Sequence, residues 1–183
     1  MLKIIKDIIV DWERYTALHK KVSFLLFFAI FFNNPGMFFS IIYRIESNLI
    51  NSKIILFKLI AYLLYPLYFI ITYYILDFNI PPTVKIEKGL YIHNRGIVFT
   101  NFVNAGKNLS LIGPITVGLK NMPGSSLLPP KIGDNVSVFT GARIIGDIKI
   151  GNNVYIGANA VVVKDVPSNV VVGGVPAKII KNL

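Results

Sequence analysis

No cysteine occurs among the 183 residues. Disulfide scaffolds, thiolate metal sites and a cysteine nucleophile are therefore excluded. Only two histidines are present, His19 and His93, too few for a His-rich metal site. Acidic residues are also scarce. Nine Asp and Glu stand against 19 Lys and Arg, a net charge of +10. The first 78 residues carry +3 of this and the remainder +7. No recognition motif, basic tract or Arg-rich exposed helix accompanies the charge, so nucleic acid is not the expected partner. Anionic lipid or an anionic cosubstrate explains the sign more economically. The chain has no HExxH, no Walker glycine loop with its Lys, and no GxSxG. No secretory signal is apparent. The first long apolar run begins after Lys21 and ends in bulky aromatics, not in a small-residue cleavage site.

What the chain has in quantity is apolar surface and a repeat. Hydrophobic residues make up 54 %, with 13 Phe and 9 Tyr concentrated in the first half. The repeat is clearest from Ile132 to Val163. Blocks of six open on Ile132, Val138, Ile144, Ile150, Ile156 and Val162, with Val136, Ala142, Ile148, Val154, Ala160 and Val166 in the fifth place. A helix does not repeat at six, and a plain strand alternates at two. The period fits a coiled ribbon of short strands. Three blocks close one triangular turn, and turns stack at about 4.8 Å. Ile80, Ile86, Ile92 and Val98 extend the spacing upstream, with a one-residue slip expected near Asn104 before Ala105, Leu111 and Val117. The fold class expected is mainly β: a left-handed parallel β-helix behind an α-helical N-terminal region. The division is 1–78 helical and 79–183 coil. A loop over 119–131 is marked by three prolines, one Gly and two serines.

In the N-terminal region, 1–21 reads as an amphipathic helix, with Ile4, Ile8, Trp12 and Leu18 at helical spacing. Val22–Phe32 and Met37–Tyr43 are apolar runs separated by a turn at Asn33–Gly36, and neither is long enough to span a bilayer. Leu59–Leu76 is eighteen residues without a charge, with a potential kink at Pro66. Three readings stay open. It spans a membrane, it lies on one, or it packs beside Val22–Tyr43 as a re-entrant or docked helical hairpin, with a soluble helical cap as the plain alternative. Asn79–Pro82 is expected to end the helical part.

Among polar residues, Asp134 and Asp147 stand at repeat corners, where turns are the simpler reading. The glycines from Gly133 to Gly157 belong to the repeat rather than to a phosphate cradle. His93 follows inward-facing Ile92, so alternation points it outward. A histidine titrates near pH 6.5, which suits it to act as a general base, although a lone histidine is more often inert. His19, on the N-terminal helix, reads as a surface residue.

The motifs NPG at 34–36, IIYRI at 41–45, NIPPTVKIEKGLYIHNRGIV at 79–98, the repeat run at 132–167 and VVGGVPAKII at 171–180 together resemble a known family. It is the serine O-acetyltransferase-type branch of the left-handed β-helix acyltransferases. Members that act in capsule and exopolysaccharide synthesis are the more similar. The resemblance implies a homotrimer using acetyl-CoA, with no metal and with active sites between neighbouring coils. The family's catalytic histidine falls on His93, with Asn94 and Arg95 beside it as acceptor-binding candidates. The pantetheine arm is expected along Thr140, Gly141, Ala142, Gly157, Ala158, Asn159 and Ala160. Lys164 and Lys178 are expected to meet the CoA phosphates.

Three positions depart from serine acetyltransferases. Ile92 stands where those enzymes carry Asp before the histidine. Leu128 and Pro129 stand in place of the loop's Arg-His, which removes the guanidinium expected to grip serine's carboxylate. The expected function is acetyl transfer to a sugar hydroxyl of a surface polysaccharide, in the cytoplasm or at the cytoplasmic face of a membrane. The alternatives are serine O-acetyltransferase of cysteine biosynthesis and a non-catalytic β-helix that only binds partners.

Overall fold

The computed structural model describes residues 2–16, 33–120 and 128–183. His19, the run Val22–Phe32 and most of the 119–131 loop lie outside the described residues. Among the described residues three helices come first: α1 Leu2–Thr16, α2 Pro35–Ile50 and α3 Ile55–Phe69. α3 runs through Pro66 and continues as a π-helix over Ile70–Ile75. Pro35 opens α2, where its missing N–H costs nothing.

A parallel β-helix follows. Its short strands are β1 Phe78–Asn79, β2 Lys85–Ile86, β3 Tyr91–His93, β4 Ile97–Phe99, β5 Asn104–Ala105, β6 Ser110–Ile112 and β7 Ile115–Gly118. After the loop come β8 Lys131–Ile132, β9 Ser137–Val138, β10 Arg143–Ile145, β11 Lys149–Ile150, β12 Val154–Ile156, β13 Val161–Val162 and β14 Val170–Gly173. They stack into three flat sheets: β1-β4-β7-β10-β13, β2-β5-β8-β11 and β3-β6-β9-β12-β14. Pairs such as Lys131 with Lys149 and Arg143 with Val161 lie eighteen residues apart, three blocks of six per turn. β15, Lys178–Asn182, turns back antiparallel against β14 and closes that sheet's edge.

Both inward positions of every block between Ile132 and Val166 are buried. The upstream register needs correction. Val98 faces outward at 40 % exposure, while Ile97 and Phe99 point into the core. Tyr91 pairs with Ser110, nineteen residues on, but Ile97 pairs with Ile115, eighteen on. The extra residue therefore sits in the corner Asn94–Gly96, immediately after His93, not near Asn104. Asn94 and Gly96 both take positive φ there, 73° and 82°. The coil also begins earlier than Asn79, because buried Phe78 already pairs with Ile97.

The three corners of the coil differ. Where the four-stranded sheet passes into the six-stranded one, Asn108, Asn135, Asn153 and Asn169 form a ladder. Each amide donates to the next at 2.8–2.9 Å. All four have φ of 54–61°, which asparagine tolerates better than most residues. Asp134 joins the parallel ladder beside them, accepting from the Lys107 amide.

A coil has an open first edge, and an unpaired edge exposes backbone donors and acceptors. The helices close it. Tyr43 donates to the Val84 carbonyl at 2.7 Å and accepts from the Ile86 amide at 3.2 Å. Tyr68 donates to the Ile80 carbonyl. Asp11 accepts from the Gly89 and Leu90 amides at 2.7 and 2.8 Å, and binds Arg44 through both oxygens. Arg44 in turn reaches the Ile86 and Glu87 carbonyls. Burial raises the Asp11 carboxyl above its ordinary range, against the opposing pull of Arg44 and the two amides.

Candidate active site

The candidate site is built on β3 and the corner after it. Ile92 is buried in the coil and His93 is exposed, as alternation requires. β3 is the outermost strand of its sheet, so its outer backbone needs a partner. Tyr15 of α1 supplies one, its hydroxyl accepting from the Ile92 amide at 2.8 Å. Burial pushes the Tyr15 phenol far above its usual range, so it stays neutral in that role. Gly36, the glycine of NPG, lies against Ile92 on the other side. A Cβ there would meet the Ile92 carbonyl oxygen and come 2.8 Å from its Cβ. The strand that carries His93 is thus clamped by two helices.

The imidazole has a neighbour that the sequence did not single out. The Tyr91 ring lies parallel to it, 6.2 Å between centroids and 10° between planes. The Tyr91 hydroxyl is 3.5 Å from His93 Nδ1, a long and weak contact. Tyr91 is itself held by Tyr15, at 4.9 Å, and by the Arg14 guanidinium, 5.7 Å above its ring. Arg14 is fixed by the Ser110 hydroxyl at 2.8 Å and by the Gly89 carbonyl. Ile92, directly before the histidine, points into the core and gives the imidazole no polar partner. Tyr91 was legible only as one of nine tyrosines. The signal that could have found it is alternation, since residues two apart share a face.

Corner-to-corner hydrogen bonds link His93 to the other predicted residues. The His93 carbonyl accepts from the Gly113 amide at 2.7 Å, the Pro114 carbonyl from Gly141 at 2.7 Å, and the Thr140 carbonyl from Asn159 at 2.8 Å. Asn94, Arg95, Thr140, Gly141, Ala142, Gly157, Ala158, Asn159 and Ala160 therefore share one edge of the prism with His93. Three coil steps separate His93 from Asn159, about 14 Å. The C-terminal turn joins the same edge, because Val161 donates to the Gly174 carbonyl and Ala177 to the Val161 carbonyl. Lys178 follows directly and is exposed.

Two predicted elements lie elsewhere. Lys164 follows β13 and belongs to the next edge, at the passage into the four-stranded sheet. The 119–131 loop leaves from that edge as well, between β7 and β8, with Leu128 exposed and Pro129 half-buried. In one chain the five-stranded sheet separates these residues from His93. Arg95 turns toward α3, its guanidinium 3.5 Å from the Ile75 carbonyl. Among the described residues no group of three or more His, Asp or Glu side chains is placed to hold a metal ion.

Fold and edge together define a hexapeptide-repeat parallel β-helix with a helical cap. Residues 129–164 match the family model described as bacterial transferase hexapeptide (six repeats). The chain is 40 % identical over 104 residues to serine acetyltransferase of Staphylococcus aureus, covering 56 % of this chain and 48 % of that protein. The Staphylococcus epidermidis serine acetyltransferase matches with the same identity and coverage. The chain thus spans about half the length of the curated relatives it matches. Among solved structures, Neisseria gonorrhoeae serine acetyltransferase in complex with serine superposes with a TM-score of 0.79 at 28 % identity. That match covers 98 % of this chain and 70 % of the other. A serine acetyltransferase in complex with CoA gives 0.75 at 26 % identity, covering 97 % and 70 %.

Proposed function

We propose that this chain is an acetyl-CoA-dependent O-acetyltransferase with His93 as its general base. The observation that carries the reading is the shared edge, which aligns an exposed histidine with the glycine-bearing corners Thr140–Ala142 and Gly157–Ala160. His93 takes the proton from an acceptor hydroxyl as its oxygen attacks the thioester carbonyl carbon. The tetrahedral intermediate collapses, the carbon–sulfur bond breaks, and the CoA sulfur recovers the proton from His93. The Tyr91 ring stacks beside the imidazole, and with Nδ1–H directed at the Tyr91 hydroxyl oxygen, Nε2 stays unprotonated to serve the acceptor. The active assembly is a homotrimer, in which the loop edge of one subunit, with Leu128, Pro129 and Lys164, completes the His93 edge of its neighbour.

The comparisons favour L-serine as the acceptor, since the relatives are serine acetyltransferases and the Neisseria gonorrhoeae structure holds serine. Arg95, two residues from His93, is then the group to meet serine's carboxylate, for which its guanidinium leaves the Ile75 carbonyl 3.5 Å away. A sugar hydroxyl of a surface polysaccharide is the second reading. It is favoured by Leu128 and Pro129, which offer no cation to a carboxylate. The experiment is acetyl-CoA consumption by the purified chain with L-serine or with sugar and glycan acceptors. Turnover with serine that weakens in Arg95→Ala through a raised KM supports the first reading. Turnover with sugars alone supports the second. Consumption with neither overturns the proposed chemistry for these two acceptor classes.

A further inference from the structure

We propose that α3 and its π-helical extension form an in-plane anchor that rests on a bilayer surface carrying anionic lipid. Among the described residues, Ile55–Ile75 is the one helix long and apolar enough to cross a membrane, yet 17 % of its apolar window is buried. A soluble core helix of that composition would be mostly covered. Its contact with the rest of the chain is one line, Ala61, Tyr68 and Thr72. Apart from half-buried Lys58 and Ile71, the remaining residues are apolar and exposed: Leu63 at 79 %, Ile55 and Tyr74 at 70 %, with Leu56, Leu59 and Leu67 above one half.

The shape of this surface selects its occupant. A second copy of the chain packs a single stripe of a helix, and the uncovered apolar surface is wider than a stripe. A fluid apolar medium covers the remaining sides together. Tyr62, Tyr65, Tyr73 and Tyr74 suit the depth where ring and hydroxyl meet different surroundings. Lys53 and Lys58 stand at the helix's start. A cavity of about 1180 Å³ opens there beside Asn51 and Ser52, lined by Lys6, Lys85, Lys88 and Lys131. Asp7 and Glu87 are its acidic members, so the balance favours anionic headgroups.

The contacts also exclude a crossing orientation. Asn51 donates to the Pro82 carbonyl, Tyr68 to the Ile80 carbonyl and Arg95 to the Ile75 carbonyl. The segment just before the helix, its middle and its end are thus tied to the coil. If it crossed, the irregular backbone of Pro81–Thr83 and the Arg95 corner would enter hydrocarbon, where such backbone is not tolerated. This proposal is independent of the proposed reaction, and its failure leaves that chemistry untouched.

The test is flotation of the full chain with vesicles of phosphatidylcholine alone, and of phosphatidylcholine with phosphatidylglycerol. The wild type should float with the anionic vesicles, less so with neutral ones and less at high salt. The variant Leu59→Gln/Leu63→Gln/Leu67→Gln should lose binding about tenfold or more while keeping its oligomeric state by ultracentrifugation. Since the chain has no cysteine, Lys53→Cys and Lys181→Cys provide single labels. Both should react with a membrane-impermeant maleimide added outside the vesicles. Wild type that does not float overturns the anchor, as does a triple variant that floats unchanged. A triple variant that changes oligomer size without changing flotation assigns the surface to a second copy. Protection of one label alone overturns the in-plane orientation.

Discussion

The coil and its helical cap solve the same problem by opposite means. In the coil, each strand is paired by the strand of the next turn, and the same two apolar positions recur every six residues. The Asn108–Asn135–Asn153–Asn169 ladder shows the principle at one corner, one residue type repeated and satisfying itself. The cap has no repeat. It pairs the first coil's open edge with individually placed side chains, Asp11, Tyr15, Tyr43, Arg44 and Tyr68. The lesson is about robustness. A coil position has equivalents above and below it, whereas each cap residue holds a contact that no other residue duplicates.

The largest expected effect comes from breaking the cap's buried pair. Asp11→Ala leaves the Arg44 guanidinium, 7 % exposed, without its carboxylate and frees two buried amides. Removing one partner of such a pair costs about 3–5 kcal/mol. Urea unfolding followed by far-UV circular dichroism should show that loss. A smaller effect is expected at the clamp on β3. Gly36→Ala places a methyl into the Ile92 backbone, an overpacking cost of about 1–3 kcal/mol. It shifts the strand that carries His93, so kcat should fall further than the stability change alone accounts for.

The smallest effect has the opposite sign. Glu46 is 3 % exposed, with Oε1 unpartnered, and burial raises its carboxyl above the ordinary value. A raised folded-state pKa favours the protonated, folded form. That contribution is fully present below a pH of about 4.3 and is lost as pH rises through the folded value. Glu46→Gln should therefore raise the thermal midpoint at pH 7, and the gain should shrink toward pH 4.

This contrast also explains what could be read from the chain alone. The coil was legible because Ile132, Val138, Ile144, Ile150, Ile156 and Val162 restate one rule. The slip was misplaced because Ile97, Val98 and Phe99 are all apolar, so hydrophobicity could not say which of them faces in. Only the backbone register puts the extra residue at Asn94–Gly96. The cap's ion pair was illegible for a different reason. Asp11 and Arg44 lie 33 residues apart on different helices, and nothing local marks either as buried. The outward direction of His93 was legible from its place after Ile92, whereas the role expected of it came from the family resemblance, and its neighbour Tyr91 was passed over for want of a motif. Lys164 was assigned with Lys178 to the CoA phosphates, yet the two stand at different edges, because Lys164 lies one block of six on from Ala158 and six residues move the chain to the next face.

The central claim is that His93 is the base of an acetyl transfer carried out along this edge. Its most direct test is release of free CoA thiol from acetyl-CoA, with L-serine and a sugar acceptor offered in parallel, by the wild type and by His93→Ala. The account predicts acceptor-dependent release by the wild type and a loss of at least about a hundredfold in the variant, with the assembly unchanged by sedimentation. Full turnover by His93→Ala would contradict it.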